Sequence, residues 1–289
     1  MGVTLQGIGV LITGGSLGIG KAIAKACVDA GAGVLICARD QSALDSAKSE
    51  LERIASPKQV IRARAADVSR SDDVSALVDF AMSELPNFSG LVNCAGITGP
   101  TGLLEEADIQ EWILTIQVNL IGTMLTCRAV IPHFRKQAFG RIVNFSGGGA
   151  TSPRPRFSAY AAAKTAVVRL TETLAQELND TAISVNAIAP GAVNTRMLDD
   201  VLNAGSQLAG SAAYKQALKQ KDSGGVPPEK AAELCVKLLS QESDGISGKL
   251  ISAVWDSWDA LLAHRKTVME GDLYTLRRIV PKDRGLTWS

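Results

Sequence analysis

Thr13-Gly14-Gly15-Ser16-Leu17-Gly18-Ile19-Gly20 is the stretch on which the fold turns. A short apolar run, residues 8–13, leads into it, and residues 19–30 follow with apolar positions at helical spacing. Strand, glycine-rich turn and helix form the order that a phosphate group needs. Glycine permits positive φ and close backbone approach, while the helix start offers free N–H groups and the positive end of the dipole. A glycine cluster alone marks any strand-to-helix turn. The flanking strand and helix turn it into a dinucleotide site, with Thr13, Gly14, Ser16, Leu17, Gly18, Ile19 and Gly20 as candidate cofactor-binding residues. The spacing is TGxxxGIG rather than GxGxxG.

Outward from this turn, apolar runs and amphipathic segments alternate. Strands are expected over residues 33–38, 59–64, 91–93, 141–145, 183–188 and 249–254, and helices over 41–54, 72–85, 108–137, 158–179 and 228–240. Continuous apolar strands alternating with helices imply an α/β protein: a single doubly wound Rossmann-type domain whose parallel sheet is flanked by helices. Ligands of such sheets collect at the carboxyl ends of the strands. Residues 198–226 are polar and rich in Gly, Ala and Ser, and read as a mobile substrate lid over those ends. The domain is expected to span residues 1–254, with residues 255–289 as a helical extension.

Bulk composition narrows the function classes. The chain has 289 residues, 46% hydrophobic and 20% charged, enough apolar content for a full core without metal or disulfide. A formal net charge of +1 provides no field for nucleic acid or an anionic membrane, so neither is expected as a partner. Cys27, Cys37, Cys94, Cys127 and Cys235 are scattered, outside any CxxC or Cys/His pattern, so no metal site is expected. Free cysteines fit a reducing, cytoplasmic setting. Gln6 stands where myristoylation at Gly2 would need Ser or Thr. No stretch approaches the roughly 20 consecutive apolar residues of a membrane span.

Further motifs lie in order along the chain: Asn93-Cys94-Ala95-Gly96, Val118-Asn119-Leu120, Tyr160-Ala161-Ala162-Ala163-Lys164 and Pro190-Gly191-Ala192-Val193-Asn194-Thr195. With the glycine turn, they resemble the short-chain dehydrogenase/reductase superfamily over roughly residues 7–254, nearest to its 3-oxoacyl-carrier-protein reductase-like branch. The resemblance implies a seven-stranded sheet, catalysis by Asn119, Tyr160 and Lys164, and a water-mediated link from Asn119 to Lys164. It implies cofactor contacts from Asp67 and Val68 at the adenine and from Asn93, Ala95 and Gly96 beneath the ribose. Tyr160, Lys164, Pro190, Gly191, Val193 and Thr195 would lie at the nicotinamide end. It also implies a homo-oligomer, dimer or tetramer.

Cofactor choice is read from residues 36–40, Ile-Cys-Ala-Arg-Asp. A carboxylate at a strand end binds both ribose hydroxyls of NAD and repels a 2′-phosphate; here Ala38 holds that place and Arg39 follows. A guanidinium clamps phosphate through paired hydrogen bonds, so NADP(H) is preferred over NAD(H), with Asp40 as the cap of the next helix.

Tyr160 and Lys164, four residues apart, share one helix face. A phenol with a pKa near 10 is a poor base at neutral pH, and an adjacent ammonium favours the phenolate. The expected reaction is hydride transfer between a nicotinamide and a carbonyl or secondary alcohol of a small molecule, with Tyr160 as proton donor and acceptor. The family's carbonyl-orienting serine falls thirteen residues before the tyrosine, and that position is Gly147. Three readings stay open. Ser146 serves through a shifted loop, a backbone N–H of the glycine run polarises the carbonyl, or the chain binds NADP(H) as a redox-sensing or regulatory protein with little turnover. A lyase or epimerase with retained cofactor is a further alternative. In the extension, Trp255, Trp258, Leu261, Leu262, Val268 and Met269 recur at near-helical spacing, which reads as a helix with one apolar stripe, packed on its own domain, at a subunit contact or as one wall of the substrate pocket.

Overall fold

Val10 and Ile12 point to one face of strand β1 (Gly9–Thr13) and Leu11 to the other, and all three are fully buried. That alternation is repeated across the molecule, whose computed structural model describes residues 3–288; Met1, Gly2 and Ser289 lie outside the described residues, and with them the myristoylation reading and the outer ends of the two expected segments. The chain runs β1, α1 (Gly18–Asp29), β2 (Gly33–Ala38), α2 (Gln41–Ile54), β3 (Ile61–Ala65), α3 (Ser71–Glu84), β4 (Phe88–Asn93), α4 (Ile109–Ile116), α5 (Gly122–Lys136), β5 (Gly140–Phe145), α6 (Ser158–Glu177), β6 (Ile183–Ala189), α7 (Arg196–Ala209), α8 (Ser211–Asp222), α9 (Pro228–Leu239), β7 (Leu250–Ser252), α10 (Trp258–Ala263) and α11 (Arg265–Glu270).

The seven strands form one sheet in the order β3-β2-β1-β4-β5-β6-β7, every pair parallel. Chain order reverses between β1 and β4, and a crevice opens there at the carboxyl ends. Val10, Ile12, Val34, Ile36, Val92 and Val143 pack with α1, α2 and α9 on one face. Leu11, Leu35, Leu91, Ile142 and Val185 pack with α3 and α5 on the other. Both faces are covered, so the central strands β1 and β2 are apolar almost throughout, whereas the edge strand β3 alternates with Arg62 and Arg64.

Helices α4 and α5 join through a π-helical turn at Gln117–Ile121, so residues 109–136 run as one helix of 28 residues. By length and apolar content it could cross a membrane, although polar residues interrupt its apolar runs. Thr115, Asn119, Thr126, Val130 and Phe134 are buried against the domain, and Thr126 and Asn119 are hydrogen-bonded there. It is a core helix. The segment expected as a substrate lid is largely helical, α7 and α8, kinked at Gly205 (φ 71°) and broken at Gly210 (φ 81°).

Residues 255–288 hold two short α-helices, parted at His264, in place of one striped helix. Trp258, Leu261 and Val268 are buried in the same cluster as β1 and α9, whereas Trp255 is 85% exposed. Beyond α11 the chain is clasped back to the domain. Leu250 N donates to Tyr274 O (2.8 Å), Lys249 Nζ donates to Gly271 O and Leu273 O, and Leu276 N donates to Glu172 Oε1 (2.6 Å) on α6.

Candidate functional site

The glycine turn is shaped by contacts that no side chain would allow. A Cβ on Gly14 (φ 68°) would lie 2.8 Å from Ala95 Cα, and one on Gly20 would lie 2.2 Å from Gly14 O. Thr13 fastens this turn to the end of β4: its Oγ1 accepts from Cys94 N (3.1 Å) and Ala95 N (3.2 Å) and donates to Val92 O. Helix α1 starts at Leu17 with no side-chain cap, so its first N–H groups are left for a ligand.

Around this helix start opens a cleft of about 710 Å³. Of the expected cofactor residues, Gly14, Ser16, Leu17, Gly18, Ile19, Gly20, Arg39, Asp67, Val68, Ala95, Gly96 and Thr195 line it. A cradle without side chains, a free helix start and a long crevice fit a dinucleotide. Sequence reading missed Cys37, Ala66, Ile97, Val118, Arg196 and Met197, which also line it and lie between or beside the motifs. Arg39 is exposed at the cleft rim, and Asp40 caps α2 by accepting from Ala43 N (3.0 Å). Burial pushes the Asp67 carboxyl up, but hydrogen bonds from Ser69 N and Oγ, with Arg39 and Arg70 nearby, hold it below the ordinary carboxylate value.

Other expected residues stand behind the cleft wall. Asn93 is buried; its Nδ2 donates to Asn144 Oδ1 (3.0 Å) and its Oδ1 accepts from Thr126 Oγ1 (2.7 Å). Its amide therefore ties β4 to β5 and α5. Pro190, Gly191 and Val193 form the turn after β6, where Gly191 (φ 83°) could not hold a Cβ without meeting Val254 at 2.5 Å.

Asn119 sits in the π-helical turn, fully buried. Its Oδ1 accepts from Ile97 N and its Nδ2 donates to Ile97 O, both at 2.9 Å. This pairing holds the strip after β4 against the helix, and π turns of this kind recur at functional sites. Lys164 is buried on α6, and its Nζ donates to Phe145 O (2.9 Å). A Cβ on Gly96 would lie 2.9 Å from Asn119 Oδ1 and 3.6 Å from Lys164 Nζ. The bare Gly96 thus brings both polar groups to the cleft wall. Burial pulls the Lys164 ammonium down to about 8, partly offset by Cys94.

Tyr160 lies one turn before Lys164 and is 7% exposed. Its ring packs with Phe157 under Leu198 and Val201 of α7 and Ala217 of α8. Burial pushes the phenol up; the Arg154 guanidinium acts in the opposite direction, and Cys94 adds to the rise. A Cβ on Gly147 would stand 2.4 Å from Tyr160 Oη. The hydroxyl therefore rests on the Gly147 backbone.

Ser146 is placed otherwise than the shifted-loop reading expects. It is buried, its N donates to Ile188 O, and its Oγ donates to Lys164 O at 3.5 Å on α6. A strand-end residue one position early points away from its neighbour, and the glycines after it do not reverse that direction. The N–H groups of Gly147, Gly148 and Gly149, by contrast, have no hydrogen-bond partner among the described residues.

With this geometry established, comparison with known proteins is direct. The short chain dehydrogenase family model matches residues 9–205. A 3-oxoacyl-[acyl-carrier-protein] reductase of Synechocystis sp. is 36% identical over 192 residues, 66% of this chain and 76% of that protein. A short chain dehydrogenase of Monascus purpureus is 32% identical over 284 residues, 95% of this chain and 90% of that protein, so the match reaches into the extension. A crystal structure of an actinorhodin polyketide ketoreductase with NADPH superposes with a TM-score of 0.77 at 27% identity, covering 87% of this chain and 97% of that one. The chain belongs to the short-chain dehydrogenase/reductase family and is an oxidoreductase of the nicotinamide-binding Rossmann type.

Proposed function

We propose that this oxidoreductase uses NADP(H) in preference to NAD(H) to interconvert a carbonyl and a secondary alcohol, with Tyr160 as the proton donor and acceptor. The observation that carries this reading is that Asn119 and Lys164 Nζ reach the wall of the glycine-lined cleft at Gly96, with Lys164 Nζ 5.8 Å from the centre of the Tyr160 ring. A nicotinamide dinucleotide bound in the cleft would supply or take the hydride. Everything else falls to the chain. In reduction, Tyr160 Oη gives its proton to the carbonyl oxygen; in oxidation it receives one. Burial keeps the phenol protonated at neutral pH, as a donor requires. Lys164 stabilises the phenolate left behind, and Asn119 and Phe145 O hold Lys164's surroundings in place. The free N–H groups of Gly147 to Gly149 take the carbonyl-polarising role that a serine hydroxyl performs elsewhere in the family. Leu198 and Val201 exclude water from the phenol. Thr13, Asn93, Pro190, Gly191 and Val193 contribute by holding the cleft walls.

Support for NADP(H) is Arg39, exposed at the cleft rim without a protein partner among the described residues, beside Ala38 in place of an acid. Arg39→Ala should weaken NADPH by tenfold or more, as expected for loss of one charge-assisted phosphate clamp of about 1.5–3 kcal/mol. NADH should be almost unaffected. Steady-state KM values for both cofactors decide it, and an equal loss for both would remove Arg39 from phosphate recognition. Consumption of NADPH against a panel of ketones and aldehydes tests the reaction itself. A reductase uses one cofactor per carbonyl, an epimerase regenerates it, and a sensor binds it without turnover.

Acid–base behaviour gives a second test. Lys164 in the free protein loses its proton above a pKa of about 8, and the phenolate then loses its supporting charge. Because kcat/KM reports the free enzyme, reductive kcat/KM for NADPH should be level below about pH 7 and fall as pH rises through about 8. A profile that rises across this range would contradict the assigned roles.

A homo-oligomer in a reducing compartment also fits: Leu104, Ile109 and Ile113 are exposed apolar side chains around α4, and the cysteines are unpaired. No cluster of potential metal ligands occurs among the described residues.

A further inference from the structure

Arg154 has no role in the scheme above, yet its guanidinium is held within the reaction compartment. Its Cζ stands 4.2 Å from the Phe157 ring centre and 5.4 Å from that of Tyr160. Nη1 lies 3.6 Å from where a side chain on Gly148 would begin, beside the unpartnered N–H groups of the glycine run. The side chain is partly buried, and it makes neither a hydrogen bond nor an ion pair to any described residue. The side chains of Met197, Leu198, Val201 and Leu202 on α7, which pack in the same cluster as Tyr160, are apolar.

The backbone that carries it is stiff. Arg154 stands between Pro153 and Pro155, so its neighbours have φ fixed and its own conformation is confined to the extended region. The turn closes with Phe157 N donating to Arg154 O, and Arg156 is tied by Nη1 to Gln207 O (2.9 Å) and Leu208 O on α7. A cation held on a rigid loop, partly stripped of water and given two aromatic faces but no anion, lacks its complement. Tyr160 supplies negative charge only transiently, and Lys164 already serves it. A carboxylate would complete the site, because a guanidinium binds that planar group through two parallel hydrogen bonds.

We propose that Arg154 binds a carboxylate carried by the substrate, so that the substrates are oxo acids and hydroxy acids rather than neutral ketones and alcohols. This rests on the reductase reading above and narrows its substrate class. The carboxylate lies a few bonds from the reacting carbonyl, since Arg154 and the Tyr160 hydroxyl flank the same glycine run. Arg154 is therefore a specificity-determining residue.

Matched pairs test it: 2-oxobutanoate, 3-oxobutanoate and 4-oxopentanoate against their methyl esters, assayed with NADPH. For at least one pair the acid should exceed its ester in kcat/KM by about tenfold to a hundredfold, the worth of a hydrogen bond to a charged group. Arg154→Met should remove that preference while leaving ester turnover within about threefold, and Arg154→Lys should retain part of it. Esters equal to or better than acids in every pair overturn the proposal, as does an Arg154→Met variant that slows acid and ester alike. Calorimetric titration of the NADP+-loaded protein with 3-oxobutanoate and 4-oxopentanoate, which the oxidised cofactor cannot reduce, gives a readout without turnover. Binding of one of them that weakens at least tenfold in Arg154→Met supports the proposal, and no binding of either to the parent protein defeats it. Failure of every carbonyl to consume NADPH would instead sink the reductase reading, and the titration would still decide the role of Arg154.

Discussion

Tyr160→Phe is expected to lower carbonyl reduction by about a thousandfold, in the middle of the 10²–10⁴ range typical of a positioned general acid, while NADPH still binds with near-parent affinity. The phenol is the one acidic hydroxyl that rests against Gly147 in the covered compartment, and its removal leaves the ring packing with Phe157, Leu198 and Val201 intact. Stability should change little, because Tyr160 Oη makes no hydrogen bond to any described residue that the substitution could remove. Fluorescence titration with NADPH separates the two effects from misfolding. A variant that keeps more than a tenth of the parent kcat would place the proton donor elsewhere, and the proposed mechanism would have to be abandoned.

Gly147→Ser restores the residue type that the family places there, and it should nonetheless reduce kcat by about a hundredfold. Its Cβ would begin 2.4 Å from Tyr160 Oη and 3.1 Å from Cζ, far inside van der Waals contact. The tyrosine must then move by roughly an ångström, and a displacement of that size costs about 10²-fold in a positioned reaction. Backbone strain is not the cause, since Gly147 is absent from the positive-φ glycines. The protein should remain folded, with an overpacking penalty of about 1–3 kcal/mol visible as a lower Tm. A faster Gly147→Ser enzyme would show that the loop yields easily and that the glycine N–H groups are not the polarising donors.

The alternation of apolar runs and amphipathic helices announced the doubly wound sheet because strands covered on both faces carry that pattern in their residues. Strand β2 and helix α2 coincide with the reading at Gly33–Ala38 and Gln41–Ile54. The cofactor turn was equally legible, since its glycines are required by local sterics. Less local features were hidden. The helices α7 and α8 within the expected lid are not legible, because the segment is polar and rich in Gly, Ala and Ser and its burial comes from contact with Phe157 and Tyr160 far back in the chain. A π turn leaves no distinct period, so the distortion around Asn119 could not be foreseen. Ser146 shows the limit of counting: its position one residue early is evident from the sequence, but its turn toward Lys164 O depends on how β5 meets α6. Arg154 belongs to no motif, and only folding brings it to the tyrosine.

The clasp between Leu276 N and Glu172 Oε1 has a mechanical consequence. Glu172 lies two turns beyond Lys164 on α6, so the end segment braces the same rod that carries the acid and its ammonium partner. A label, fusion or protease cut near residue 276 would be felt as play in the reaction machinery, even though it is attached to the outside of the molecule.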